Sequence, residues 1–278
     1  EREGWRYELA DESSDLIYNG IVYNEMQGNL GNITSAALNN ASTAVFPDTD
    51  QGFNSGGVPS EIVTLSYEEL VEFYNKYYHP SNCLIVLYGD LDYSKFLKMI
   101  DENYLSSYSK ESIYIDRTKQ KAFDKPVEKT FAFPASEGTD TSKAVIDVVF
   151  AADDIKEIGM ENIMGLDLAI TQLNQDSSDF KKALMASGIG ENYTVSYDIT
   201  VYQPTIHFMA LNADSSRSKE FYNLVIKELE KTVKNGLDSE QIKSTLRSME
   251  FNNILGSGNA INEMVTASLF DTMLDNPM

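Results

Sequence analysis

Apolar residues recur at helical spacing in several parts of the chain. Residues 66–69 have the capping-box sequence Ser-Tyr-Glu-Glu, and they predict a helix over about 66–78 with Leu70 and Phe73 on its apolar face. Pro80 ends this pattern because proline cannot continue a helix. The same periodicity predicts further helices over about 96–104, 157–173, 179–186, 221–233, 238–249 and 261–273. The residues expected to be buried in the helix at 238–249 are Ile242, Leu246 and Met249.

Strands are predicted where β-branched and aromatic residues form short runs. These runs cover residues 83–88, 130–134, 144–150, 193–201 and 205–211. In the second half of the chain most strands precede the long helices, and this order is typical of a mainly antiparallel sheet with helices packed on one face. The pattern therefore predicts an α+β fold.

Length and composition suggest two domains. The chain has 278 residues, of which 42% are hydrophobic, enough for two α/β domains with separate cores. Residues 109–129 carry six basic residues and Pro126 in an otherwise acidic chain, which is typical of a linker, although a long surface loop is the alternative. We expect a first domain over 1–112, a linker over 113–126 and a second domain over 127–278.

Charge and cysteine content exclude several classes of function. The 43 acidic and 22 basic residues give a net charge of −21, which disfavours binding to nucleic acid or to anionic membranes. The single cysteine, Cys83, excludes an intrachain disulfide and a cysteine-based zinc site. It favours a cytoplasmic location over secretion but does not specify the compartment. The opening residues 1–4 lack a methionine and a signal-like segment, so we interpret the chain as a fragment.

A carboxylate in an apolar setting is the first candidate for chemistry. Glu25 lies within the segment 20–28, and it shares a face with Ile21 whether the segment is a helix or a strand. An ionised carboxylate directed toward apolar neighbours needs a cation, hydrogen-bond donors or a raised pKa. The alternative is that Glu25 is simply exposed to water, and spacing alone does not decide between the two.

The other candidates favour structural roles. His79 precedes a proline at a helix end and is expected to cap, whereas His207 is expected to be a satisfied histidine in the core. Cys83 opens an apolar run and is expected to be buried. The glycines in residues 55–57 are interpreted as a turn, since no lysine follows to make a phosphate loop. The acidic pair at residues 153–154 lacks calcium-loop spacing and is expected to be solvated.

Several short segments follow one another along the chain: Glu-Gly-Trp-Arg-Tyr-Glu-Leu at 3–9, Tyr-Asn-Gly-Ile-Val-Tyr-Asn-Glu-Met-Gln-Gly at 18–28, Phe-Pro-Asp-Thr at 46–49, Ser-Gly-Gly-Val-Pro at 55–59, Tyr-Tyr-His-Pro-Ser-Asn at 77–82, Asp-Lys-Pro at 124–126 and Leu-Met-Ala-Ser-Gly-Ile-Gly at 184–190. In this order they resemble the presequence protease branch of the pitrilysin and insulin-degrading enzyme superfamily. Each segment is short, but together they cover nearly the whole chain.

The resemblance implies a zinc site to which this chain contributes only part. In that superfamily an inverted H-x-x-E-H motif supplies two histidine ligands and a general base, and a glutamate further along the chain is the third ligand. The matching residue here is Glu25. The only histidines are His79 and His207, and neither belongs to such a motif. We therefore expect the general base and both histidine ligands to lie outside this chain, and we expect the chain alone not to hold Zn²⁺.

The resemblance also implies an activity for the parent protein. Residues 1–112 would finish a zinc-bearing peptidase domain, and the second domain would be similar in structure without zinc. In relatives two such halves enclose a chamber that admits short unfolded peptides, so peptides and the remaining N-terminal and C-terminal segments are the expected partners. The fragment alone is expected to be inactive. The alternatives are a non-catalytic scaffold subunit of the same fold and a module that binds peptides by strand addition.

Overall fold

The structure, a computed structural model, describes residues 3–114, 118–134, 138 and 140–255. The α-helices are α1 (Ile21–Leu30), α2 (Ile33–Val45), α3 (Pro59–Ile62), α4 (Tyr67–Tyr77), α5 (Tyr93–Asn103), α6 (Ile155–Ile158), α7 (Met160–Asn174), α8 (Asp179–Ser187), α9 (Ser218–Asn235) and α10 (Ser239–Leu255). The strands are β1 (Arg6–Glu8), β2 (Ile17–Asn19), β3 (Lys143–Ala151), β4 (Asn192–Asp198) and β5 (Thr205–Asp214). Short 3₁₀ helices cover Asp50–Gly52, Pro80–Asn82, Leu105–Ser107 and Ser215–Arg217.

The described residues form two compact units. The larger contains residues 3–59 and 118–255, and the smaller contains residues 60–114. The larger unit therefore combines residues from both sides of the predicted linker. The division into domains at 113–126 stays a prediction.

A three-stranded antiparallel sheet organises the larger unit. The strand order is β3-β5-β4, and Phe208 of β5 lies opposite both Val148 and Val195. These three side chains are buried on the same face, because successive residues of a strand point to opposite faces. Antiparallel pairing of β4 with β5 needs only the short connection 199–204 between them.

Three helices cover that face and complete the core. Each places an apolar stripe against the sheet, and the buried residues are Ile170 and Leu173 of α7, Phe180 and Leu184 of α8, and Phe221 and Val225 of α9. The helix α2 contributes no residue to this core and contacts β3, an edge strand of the sheet. The predicted α+β class, an antiparallel sheet with packed helices, is confirmed.

Most of the predicted helices begin and end where their capping residues are. The capping box at Ser66 and Glu69 is formed in both directions at the start of α4. Asp238 accepts hydrogen bonds from the backbone N–H groups of residues 240 and 241 at the start of α10, and α9 ends at Gly236, where φ is +76°. The predicted helix at 261–273 lies outside the described residues. No helix in the described ranges is long and apolar enough to span a bilayer.

Two predicted strands are absent from the described residues. Residues 83–88 and 130–134 belong to no ladder. A strand requires a neighbour with matching backbone groups, and local composition cannot supply one. Cys83 is exposed rather than buried for the same reason, since no second layer covers this run in the described part of the chain. The prediction of a buried Cys83 is therefore wrong.

Two helix predictions need correction in detail. The predicted helix at 157–173 is divided into α6 and α7 by Gly159, whose φ of +77° interrupts the helical backbone. In α10 the predicted core residue Leu246 is 49% exposed, while its neighbour Thr245 is buried. Thr245 is covered because it accepts a hydrogen bond from the buried amide of Gln172 on α7. A polar contact therefore sets which face of α10 turns inward.

Candidate functional site

The Glu25 carboxylate lies on the exposed surface of α1. The segment is a helix, and Glu25 is exposed whereas the next residue, Met26, is only 5% exposed. Within the described residues no group donates a hydrogen bond to this carboxylate or forms an ion pair with it. The carboxylate is therefore accessible to a metal ion whose other ligands lie elsewhere in the protein. Its assignment as a zinc ligand stays a prediction.

Met26 fixes α1 to the turn at 55–57. A Cβ atom at position 56 would lie 2.3 Å from the Met26 sulfur, so Gly56 makes room for the close approach of this side chain. The next residue, Gly57, has a φ of +84°, which a residue with a side chain rarely adopts. The interpretation of this segment as a glycine-dependent turn is confirmed, and its partner is the helix that carries Glu25.

Both histidines have structural partners, as predicted. The His79 Nδ1 atom accepts a hydrogen bond from the Ser81 backbone N–H at 3.1 Å and caps a 3₁₀ helix. His207 is buried, with Nδ1 2.8 Å from the Asp147 carboxylate and Nε2 3.0 Å from the Thr205 hydroxyl. Since both ring nitrogens of His207 are engaged, neither has a free lone pair for a metal.

The Asp147 carboxylate is one of the few buried acids in the larger unit. Burial raises its pKa, although the hydrogen bond and charge of His207 act in the opposite direction. One carboxylate oxygen contacts His207, and the other has no hydrogen-bond partner among the described residues. The pair lies on the sheet face opposite the α7–α9 core, and it links β3 to β5 across the ladder.

A cluster of three carboxylates surrounds the ammonium group of a lysine. Oxygens of Asp153, Asp154 and Glu157 lie within 4.8 Å of one another, and this is the only such group in the part of the chain that the structure describes. The Lys119 ammonium lies 2.9, 3.7 and 2.7 Å from them, and the hydrogen bonds to Glu157 and Asp153 raise the pKa of Lys119. Asp154 is buried and caps α6, so the prediction of a solvated pair is wrong for this residue.

The donor set in this chain does not fit a catalytic zinc ion. Such sites use three protein ligands, usually including histidine, and keep one position open for water. His207 is fully engaged, and the acidic cluster already holds Lys119. Glu25 is a single exposed carboxylate. Among the described residues, Glu25 is the one ligand that the resemblance assigns, and a site that uses it needs further ligands from elsewhere.

A buried network of glutamines ties the Glu25 region to the sheet, and sequence reasoning missed it. We call Gln51, Gln120 and Gln203 the glutamine bridge. The Gln51 amide donates to the Gln203 backbone oxygen at 3.1 Å and accepts from its N–H at 2.8 Å. The Gln203 amide accepts from the Gln120 N–H at 2.6 Å, and the Gln120 amide pairs with the backbone N–H and carboxylate of Asp48.

Comparison with known proteins decides the family. A family model described as "Peptidase M16 inactive domain" matches residues 64–249, which is most of the chain. The chain belongs to the M16 peptidase family. Its relatives include Protein HypA of Clostridium perfringens, 34% identical over 251 residues, and presequence protease 1 of Arabidopsis thaliana, 31% identical over 255 residues. These matches cover 90% of this chain but only 26% and 24% of the relatives, so the chain spans about a quarter of their length.

Solved structures support the same fold. The M16 chain superposes on a protease from Helicobacter pylori with a TM-score of 0.62 at 12% identity, covering 92% of this chain and 61% of that one. It also superposes on a peptidase M16 inactive domain from Pseudomonas fluorescens with a TM-score of 0.60 at 16% identity, covering 92% and 58%. At such identity the likeness establishes the fold alone.

The family match also divides the candidate site. Residues 64–249 include β3, β4, β5, Gln120 and Gln203, whereas Glu25 and Gln51 lie before the match begins. The glutamine bridge therefore joins the inactive-domain part of this M16 chain to the preceding part, which carries the candidate ligand.

Proposed function

We propose that this chain is part of a zinc metalloendopeptidase that degrades short unfolded peptides within a closed chamber. In this proposal residues 127–249, which lie within the matched range, belong to the non-catalytic domain, and Glu25 supplies one ligand to a zinc ion whose histidine ligands come from other residues of the complete protein. The partners are unfolded peptides and the remaining segments of the same enzyme. Support comes from the match to the inactive M16 domain and from presequence proteases of which the chain spans about a quarter.

The observation that carries this proposal is the combination of family membership with an incomplete donor set. Peptidases of this family are zinc enzymes, yet both histidines of this chain are engaged in capping or core hydrogen bonds. Glu25 is the exposed carboxylate at the position that the resemblance assigns to a ligand. A chain of this kind can contribute to a metal site but cannot form one by itself.

Peptidase assays on the chain and on the complete gene product test the proposal. The purified chain, given zinc and a quenched fluorescent peptide, should show no chelator-sensitive turnover because it lacks histidine ligands. The complete protein should cleave the peptide, and Glu25→Gln should lower its kcat/KM at least about 100-fold through loss of a metal ligand.

A second exposed glutamate provides the control. Glu230→Gln removes the same charge from an exposed position on α9 without a hydrogen bond in the described residues, and it should leave kcat/KM within about two-fold. Equal effects of the two substitutions, or chelator-sensitive cleavage by the chain alone, would contradict the proposal.

A scaffold subunit is the second candidate, and the inactive type of the matched domain favours it. Such a subunit would keep the fold without the metal site. The gene sequence upstream of Glu1 discriminates the two: an intact H-x-x-E-H motif there supports the peptidase, and a degenerate motif supports the scaffold.

A further inference from the structure

We propose that the glutamine bridge is a positioning device that fixes α1, and with it Glu25, against the β3-β5-β4 sheet. This inference rests on the proposed function, in which Glu25 is a metal ligand. The bridge residues themselves touch neither Glu25 nor a substrate. Their effect on the site would pass through the segment 46–57, which connects the bridge to α1.

The glutamine bridge fixes the orientation of the segments that it joins. The amides of Gln51 and Gln203 each pair with both the N–H and the C=O of one backbone residue, as a neighbouring strand would. Such two-point pairing fixes orientation as well as distance, because rotation of the amide breaks one of the two bonds. The Gln203 amide also lies 3.4 Å from the Ala152 backbone oxygen, next to the end of β3. The bridge is therefore tied directly to the sheet.

Burial makes the bridge costly to open. Gln120 and Gln203 are 9% and 5% exposed. Removing one amide leaves its partners without hydrogen bonds in a site that water reaches poorly, and each such loss destabilises the closed bridge. Segment 46–57 should therefore keep a single position relative to β3 and β5 while the bridge is closed.

Segment 46–57 is in close contact with α2 and α1, so its position also determines that of α1. The Gly52 backbone oxygen, next to Gln51, accepts a hydrogen bond from the Thr43 hydroxyl of α2 at 3.0 Å. A Cβ at position 52 would lie 2.2 Å from the Phe46 backbone oxygen, so this turn is tightly closed. Four residues further along, Gly56 receives the buried side chain of Met26. Since Met26 adjoins Glu25 on α1, movement of the turn would move the carboxylate.

Hydrogen exchange and zinc release in the complete gene product test the inference. Gln51→Ala and Gln120→Ala should each speed amide exchange of residues 21–30 by about ten-fold and zinc release to a chelator by about the same factor, as losses of outer-shell support do. Gln51 is only partly buried, so its variant should fold even if the Gln120 variant does not.

Gln172→Ala is the matched control, because it opens another buried glutamine contact, between α7 and Thr245 of α10. It should speed exchange in α10 but change neither α1 exchange nor zinc release. Unchanged α1 exchange in both bridge variants would overturn the inference. A different outcome separates the two proposals. If the bridge variants speed α1 exchange, but both they and Glu25→Gln release zinc at the normal rate, the bridge is supported and the ligand role of Glu25 is refuted.

Discussion

Asp147 and His207 form a buried pair whose protonation should influence folding. The raised pKa of Asp147 means that its ionised form is less favourable in the folded protein than in the unfolded chain. The folded protein therefore retains the Asp147 proton at pH values where the unfolded chain has lost it. As pH rises above 3.8, the ordinary value, through the raised pKa, this residue lowers the free energy of unfolding.

Asp147→Asn should remove this pH dependence, since an asparagine does not titrate and its oxygen can still face the His207 ring. Urea unfolding of both proteins should give a free-energy difference, variant minus wild type, that increases as pH rises above about 4. The exposed substitution Asp124→Asn serves as the control and should give a nearly constant difference. A constant difference for Asp147→Asn as well would contradict the assigned burial of this carboxylate.

Single residues with strong local preferences were predictable from sequence, and those defined by distant partners were not. The cap formed by His79 and the satisfied state of His207 follow from their immediate sequence settings. The burial of Asp154 depends on α6 and Lys119, and the glutamine bridge depends on Gln51 and Gln203, which lie far apart in sequence. No local signal distinguishes these glutamines from exposed ones.

Two glycines show how the same substitution should have opposite effects in different elements. Gly188 ends α8 with a φ of +59°, whereas Gly165 lies inside α7. Nothing within 4 Å of either position would obstruct a Cβ atom, so backbone conformation decides the outcome. Gly188→Ala should lower the free energy of unfolding by about 1 kcal/mol, and Gly165→Ala should raise it by about 0.5–1 kcal/mol.

Chemical denaturation of the two variants in parallel measures both changes, with each serving as the control for the other. Their opposite signs are the test, because a general sensitivity to alanine would shift both in one direction. Stabilisation by Gly188→Ala would contradict the left-handed conformation at the end of α8.

At the scale of elements, periodicity and caps predicted helices better than composition predicted strands. The α4 capping box and the α9 apolar stripe are complete within their own sequences, so they could be predicted. Residues 83–88 have a strand composition but lack a neighbouring strand in the described residues. The division between α6 and α7 depends on Gly159, which an apolar repeat does not reveal. Strand pairing and the sign of φ at a glycine depend on tertiary contacts, so the sequence of a single segment does not determine them.

At the scale of the whole molecule, the absence of pairing at 83–88 should affect behaviour in solution. Leu84 and Ile85 are about half exposed, and the backbone of this run has no ladder partner among the residues that the structure describes. An exposed apolar run with unpaired backbone groups is a surface at which copies of a chain can associate. The net charge of −21 opposes association but is spread over the sequence rather than concentrated there.

Ile85→Lys should therefore reduce self-association of the chain, because a charged residue in an exposed apolar run disfavours association. Sedimentation velocity over a range of concentrations measures the change. Val233→Lys, on the exposed surface of α9, introduces the same charge outside the run and provides the control. Equal reductions by both variants would show that net charge, and not this run, governs association.

The glutamine bridge has a further consequence for the tolerance of the site to acidity. Carboxamides carry no ionisable proton in the cellular range, so the bonds among Gln51, Gln120 and Gln203 keep their strength when neighbouring acids gain protons. The Asp147–His207 pair on the same sheet lacks this property. A change in pH through the raised pKa of Asp147 thus alters the strand contact while the anchor of the Glu25 helix persists, which separates the endurance of the fold from the alignment of its candidate ligand.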